Sequence, residues 1–191
     1  MGISNLVVLA LLVVGGFYAI FLYNNLVQLK HGVSKSWSNI DVLLKQRHDE
    51  LPKLVEVCKQ YMQYEQDTLE KVIQARSAVM DARSRGDMPG LGQAETRLRL
   101  GLGNLFALAE NYPELKANQS FQQLSSRISQ LENSIADRRE VYNEAVNLNN
   151  VRIEQFPDVM IARMFRFRDY PLLEFSDAEK RDVNIKQLFG N

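Results

Sequence analysis

The sequence predicts an all-α protein: a single N-terminal transmembrane helix, an antiparallel four-helix bundle and a short irregular C-terminal tail. Three observations predict it. No charged residue occurs before Lys30. From Leu26 onward apolar residues recur at steps of three and four, the spacing that gathers them on one helix face. No alternating run of strand length appears before Phe165. The expected divisions are residues 1–29 for the membrane helix, 30–157 for the bundle and 158–191 for the tail.

The membrane helix comes first. Leu6 to Leu22 reads LVVLALLVVGGFYAIFL, and with Ile3, Leu26 and Val27 the apolar stretch passes 20 residues. At ~1.5 Å per residue this crosses a hydrocarbon core roughly 30 Å thick. A cleaved signal peptide needs a basic start and a small-residue cleavage site. MGISN carries no Lys or Arg, and Gly15-Gly16-Phe17-Tyr18-Ala19 is a poor cleavage site, so the helix is expected to be retained. Lys30 and Lys35 follow it with no acid before Asp41. By the positive-inside rule the large domain is cytoplasmic and the N-terminus outside. Gly15 and Ala19 form a small-xxx-small pair, a face on which membrane helices approach closely.

The bundle helices follow. Leu26, Leu29, Val33, Trp37, Ile40 and Leu44 share a face, so the membrane helix is expected to run on as one rod to about Arg47. A break is expected at His48 to Pro52: Asp49 can cap a new helix, and Pro52 fits a first turn, where its missing N–H is not needed. The second helix carries Leu51, Val55, Cys58, Met62, Leu69 and Val72 and ends near Arg83. Ser84 to Gly90 reads as a loop. The third helix covers about Gln93 to Asn111, with Leu98, Leu102, Leu105 and Phe106 inward. Tyr112-Pro113 interrupts the chain. The fourth begins near Gln119–Ser120, steps through Phe121, Leu124, Ile128, Leu131 and Ile135 to Tyr142, Ala145 and Val146, and stops before Pro157.

Charges interrupt these faces. Glu65 and Arg76 continue the second helix's spacing, Arg138 lies between Ile135 and Tyr142, and Glu132 is one position off that seam. Charges near a bundle seam are costly unless paired. Glu65, Arg76, Glu132 and Arg138 are therefore expected to form a polar network that fixes register, or to line a polar pocket.

Composition removes several function classes. The 191 residues hold 23 Lys+Arg against 23 Asp+Glu, a balance that argues against gripping nucleic acid by its phosphates. One cysteine excludes an intrachain disulfide and a multi-cysteine zinc site. No H-E-x-x-H, no P-loop and no Glu-x-x-His pair for a di-metal bundle occurs. No catalytic residue, metal ligand or cofactor is expected. Cys58 falls on an apolar face as a small buried hydrophobe.

Three stretches carry a family resemblance. W-x-x-I-D-V-L-L-K-x-R, L-P-x-L-V and Y-x-x-x-E stand at Trp37, Ile40–Lys45, Arg47, Leu51–Val55, Tyr61 and Glu65. A-E-N-Y-P-E-L-K-A-N runs from Ala109 to Asn118, followed by Phe121 and Leu124. L-E-x-x-I-A-x-R-R-x-x-Y-N-x-A-V-x-x-x-N runs from Leu131 to Asn150 and closes on Phe156-Pro157. Together they resemble the LemA family of bacterial membrane-anchored helical proteins, including its magnetosome MamQ group. The resemblance implies a LemA-like bundle behind one helix in the bacterial inner membrane, with no established enzymatic activity. It also implies a membrane zinc metalloprotease as a candidate partner. One departure falls after Phe-Pro, where the family carries Gly-Phe and this chain has Arg166-Phe167.

The tail alternates Arg163, Arg166 and Arg168 with Met164, Phe165 and Phe167. Basic residues interleaved with aromatics suit anionic lipid headgroups or an oligomer neighbour. Val183 to Asn191 is expected to be extended, with Ile185, Leu188 and Phe189 docking on another surface. The functional expectation is a non-enzymatic scaffold that self-associates at the membrane through bundle, tail or membrane helix, in coiled-coil-like packing, and contacts membrane lipids. A ligand-binding sensor or adaptor with a polar pocket inside the bundle is the alternative.

Overall fold

The computed structural model describes residues 2–174. The segment Val183 to Asn191 lies outside the described residues. Six helices form: α1 (Ile3–Tyr61), α2 (Gln66–Arg85), α3 (Met88–Ala109), α4 (Pro113–Ala117), α5 (Gln119–Glu154) and α6 (Asp158–Met164). Among the described residues there is no strand, so the protein is all-α. The described residues divide into two compact units, residues 2–39 with 140–172 and residues 40–139 with 173–174. Both α1 and α5 contribute to each.

In the first unit, α1 begins with the apolar stretch. It is long and apolar enough to cross a membrane, and only 6% of its 18-residue apolar window is buried. A core helix of a soluble protein would be mostly buried, whereas this surface has little cover among the described residues. From Leu22 the same helix acquires partners: Leu22, Leu26 and Val33 are buried, as are Tyr142 and Val146 of α5 and Ala162 of α6. Each such large apolar side chain contributes about 1.5–3 kcal/mol on burial. Trp37 packs edge-on against Tyr142, with ring centroids 5.8 Å apart.

The second unit is cored by Ile40, Leu44, Leu51 and Leu54 of α1, Leu69 and Val72 of α2, Leu98, Leu102 and Leu105 of α3, and Ile128 and Leu131 of α5. Cross-links show how α1 and α2 pair. Asp41 meets Arg83 and His48 meets Arg76, and the chain turns between them at Met62–Glu65. Numbers that rise on one helix and fall on the other define an antiparallel hairpin. Gly86, at φ 66°, ends α2: its N–H bonds Arg83 O and the next N–H, Asp87, bonds Ala82 O, a Schellman motif. Asp87 then caps α3 by accepting from Gly90 N at 2.9 Å. The expected Ser84–Gly90 loop thus shrinks to Gly86-Asp87. Farther along α3, Gly92 is buried, and a Cβ there would collide with the Glu174 carbonyl, so the backbone of the last described residue lies directly on this helix.

The expected helix break at His48–Pro52 does not occur. Pro52 sits inside α1, which continues to Tyr61, and the turn falls at Met62–Glu65. A proline inside a helix leaves the carbonyl four residues earlier without its donor. That carbonyl belongs to His48, and Arg76 Nε of α2 donates to it at 3.0 Å. The neighbouring helix replaces the missing N–H, and Pro52 no longer ends the element.

Candidate functional site

The largest buried charge lies in the second unit. Arg47 is 1% exposed. Its Nη2 donates to Glu95 Oε1 at 2.5 Å and its Nη1 to Glu132 Oε1 at 2.6 Å. Arg99 reaches the other Glu132 oxygen at 4.0 Å. Burial alone would lower the Arg47 pKa, but the two carboxylates override it and raise it. Burial also pushes the Glu95 carboxyl up, opposed by the Arg47 guanidinium. The cluster is a closed set of mutually neutralising groups crossing α1, α3 and α5. Arg47 and Glu95 were not among the expected network residues, yet the helical spacing holds both: Arg47 falls between Leu44 and Leu51, and Glu95 between Leu91 and Leu98.

The four charges expected to form one network are separated. Glu132 is in the Arg47 cluster. Arg76 stands apart on His48. Glu65 lies in the α1–α2 turn, its carbonyl accepting from the first amides of α2. Arg138 is exposed on α5. The correction for Arg138 is one of phase. From Ile135 the inward step is four residues, to the half-buried Arg139, and not three.

His48 has a defined role. Arg76 Nη2 lies 2.7 Å from His48 Nε2, and a guanidinium only donates, so Nε2 accepts and Nδ1 carries the proton. Burial first, then the Arg76 charge, lowers the His48 pKa below its ordinary 6.5. The folded protein therefore binds fewer protons than the unfolded chain between the lowered value and 6.5, and stability falls as pH drops through that window. The expected result is a loss of melting temperature on acidification from about pH 7.5 to about pH 5.5 that is smaller in His48→Gln. An equal loss in both proteins would remove His48 as the cause.

Cys58 is fully buried, and burial pushes its thiol up to about 11, so it is an inert core residue. No group of three or more His, Cys, Asp or Glu side chains suited to a metal ion occurs among the described residues.

The first unit contains an open site. α6 ends in the same Schellman geometry as α2: Arg166 N bonds Arg163 O and Phe167 N bonds Ala162 O. Here the left-handed residue is Arg166, at φ 56°, where α2 uses Gly86. The chain beyond is held along α5 by side chains. Asn149 Nδ2 donates to Arg168 O at 3.2 Å, and Tyr142 Oη donates to Pro171 O at 3.0 Å. Asn150 Nδ2 donates to Tyr170 O at 2.8 Å while its Oδ1 accepts from Tyr170 N at 3.0 Å. Phe165 and Phe167 return to α1, with ring centroids 4.7 and 5.9 Å from Tyr23.

These contacts border an open cavity of about 480 Å³. Lys30, His31, Arg166 and Arg168 line it, with Tyr23, Phe165, Phe167 and Tyr170 as aromatic walls and no carboxylate. Asn149 also lines it, is 1% exposed, and has an Oδ1 with no hydrogen-bond donor among the described residues. Of the tail residues expected to meet lipid or a neighbour, Phe165, Arg166, Phe167 and Arg168 converge here, while Arg163 points to solvent. Met160 and Met164 of α6 are exposed, as are Phe156 before it and Phe165 after it. Gly15 is open, with nothing within 4 Å of an added Cβ, and Ala19 is half-exposed.

A family model for the LemA family matches residues 36–187. The protein LemA of Metamycoplasma hominis is 26% identical over 182 residues, covering 93% of this chain and 81% of the relative. Magnetosome proteins MamQ 1 and MamQ 2 of Paramagnetospirillum magneticum are each 23% identical over 212 residues, covering 98% of this chain and 78% of each relative. The match takes in the described residues of the second unit, the segment held along α5 and the cavity's Arg166 and Arg168. With its apolar N-terminal helix and all-helical fold, the chain is a membrane-associated helical protein that belongs to the LemA family.

Proposed function

We propose that this protein is a non-enzymatic scaffold, anchored by the first part of α1 in the bacterial inner membrane, that self-associates and organises membrane or partner proteins. The observation that carries the reading is the exposed apolar stretch of α1, with Phe156, Met160 and Met164 of the same unit also exposed. Lys30 and Lys35 support a cytoplasmic domain and an outside N-terminus. The partner class implied by the family resemblance is a membrane-embedded zinc metalloprotease. Self-association is assigned to the Gly15–Ala19 face. A Cβ added at Gly15 has nothing within 4 Å among the described residues, so a loss of particle mass in Gly15→Leu reads a contact with another copy. The expected result is a discrete multi-subunit mass for the full-length protein in mild detergent, by light scattering on a sizing column, and a smaller mass for Gly15→Leu. A monomeric wild type overturns self-association, and an unchanged mass in the variant discards this face.

The ligand-binding alternative is favoured by a different place from the one first expected. The Arg47 cluster is closed, whereas the cavity beside Tyr23 is open and cationic.

A further inference from the structure

We infer that the cavity lined by Lys30, His31, Arg166 and Arg168 is a phosphate-binding site, and that its occupant is the headgroup of an anionic phospholipid. The phosphate chemistry stands on the cavity itself. The lipid assignment rests also on the membrane-anchored reading above.

Charge is the first argument. Three side chains that are cationic at neutral pH, with His31 beside them, face one space whose lining holds no acid. Among the described residues none of Lys30, Arg166 and Arg168 has a carboxylate partner. Like charges gathered without a counter-charge repel, and a bound anion removes that repulsion. Arginine is suited to the task because its planar fork meets phosphate oxygens in pairs.

Backbone strain is the second. A non-glycine residue at φ 56° pays a steric penalty that glycine does not. The chain uses glycine in the identical motif at Gly86. Arginine at the second motif is explained if its side chain is needed where that backbone turn aims it, and Arg166 lines the cavity.

Asn149 is the third. Its Nδ2 is committed to Arg168 O and to Asn150 Oδ1, which fixes its orientation and leaves Oδ1 as a buried acceptor without a donor. An occupant that carries a hydroxyl or ammonium beside its phosphate satisfies it. Position is the fourth argument. Tyr23, where the exposed apolar stretch of α1 ends, lines the cavity, and so does the exposed Phe165 that follows α6. Tyrosine at the end of a membrane helix, with basic residues following, is the composition of a headgroup zone.

The test uses the full-length protein in mild detergent. Binding of phosphatidylglycerol, phosphatidylcholine and soluble glycerol phosphate is measured by native mass spectrometry, and melting is followed by circular dichroism. Phosphatidylglycerol is expected to bind at least about tenfold tighter than phosphatidylcholine, which is zwitterionic and lacks an N–H or O–H donor. Arg168→Gln and Arg166→Gly should each weaken that binding by about tenfold. Arg166→Gly should at the same time raise the melting temperature of the lipid-free protein, because glycine accepts the turn freely; a purely structural Arg166 would show the stabilisation without the binding loss. Glycerol phosphate binding as tightly as phosphatidylglycerol keeps the phosphate site and overturns the lipid assignment. Equal retention of the two lipids, or variants that bind like wild type, overturns the site.

Discussion

Replacing Arg47 by alanine is expected to cost about 3–5 kcal/mol of folding stability, measured by chemical denaturation. The magnitude follows from what is left behind. Arg47 is 1% exposed and Glu95 3%, so removal of the guanidinium strands a carboxylate in the interior. Glu132, at 15% exposure, can turn toward Arg99 and solvent, and contributes less to the loss. The pair itself is a weak source of net stability, since both ions gave up hydration to enter the core. A second variant separates these effects. Arg47→Met combined with Glu95→Leu removes the cation and its most buried partner together. It should recover most of the loss, because no carboxylate is then stranded in the interior and the partly exposed Glu132 keeps Arg99 as its neighbour. A double variant as unstable as Arg47→Ala would show that the cluster contributes through its hydrogen bonds and not merely through neutrality.

Arg76→Ala is expected to cost about 1–2 kcal/mol, because it leaves two part-buried acceptors unpaired. It removes the donors to His48 O and His48 Nε2 together. The origin of the first loss can be isolated. Pro52→Ala restores a backbone N–H able to reach His48 O within α1. In that background Arg76→Ala should cost measurably less, and the difference is the coupling between a helix-interior proline and the side chain that satisfies its orphan carbonyl. Strict additivity of the two substitutions would sever that link.

The candidate site was only partly legible in the sequence. The alternation of Arg163, Arg166 and Arg168 with aromatics marked the right segment, and the arginine at a glycine position of the family pattern marked the residue that takes the left-handed turn. Lys30 entered only as a flank that orients the membrane helix, and His31 had no assigned role. They lie far from Arg166 in sequence, and nothing local shows that α1 and the end of α6 face each other. Asn149 was hidden in a different way. It sits on the buried face of α5, three residues after Val146, but an asparagine at such a position shows its unpaired oxygen only once its neighbours are placed.

By itself the sequence determined the helical class, the uncovered apolar stretch before Lys30 and the start of α5. These are local properties: a 3.6-residue period, a run without charge, and the capping chemistry available to Asn118, whose Oδ1 accepts from Phe121 N at 3.0 Å. The tertiary structure decided where α1 ends, which charges meet and where a cavity opens. Whether Pro52 breaks a helix depends on whether a donor from elsewhere reaches His48 O, and that donor is 28 residues away. Arg47 meets Glu95 and Glu132 across 48 and 85 residues of chain. Helix periodicity fixes which face a residue occupies, while the partner on the opposite face is set by the packing of whole helices, which no local pattern encodes.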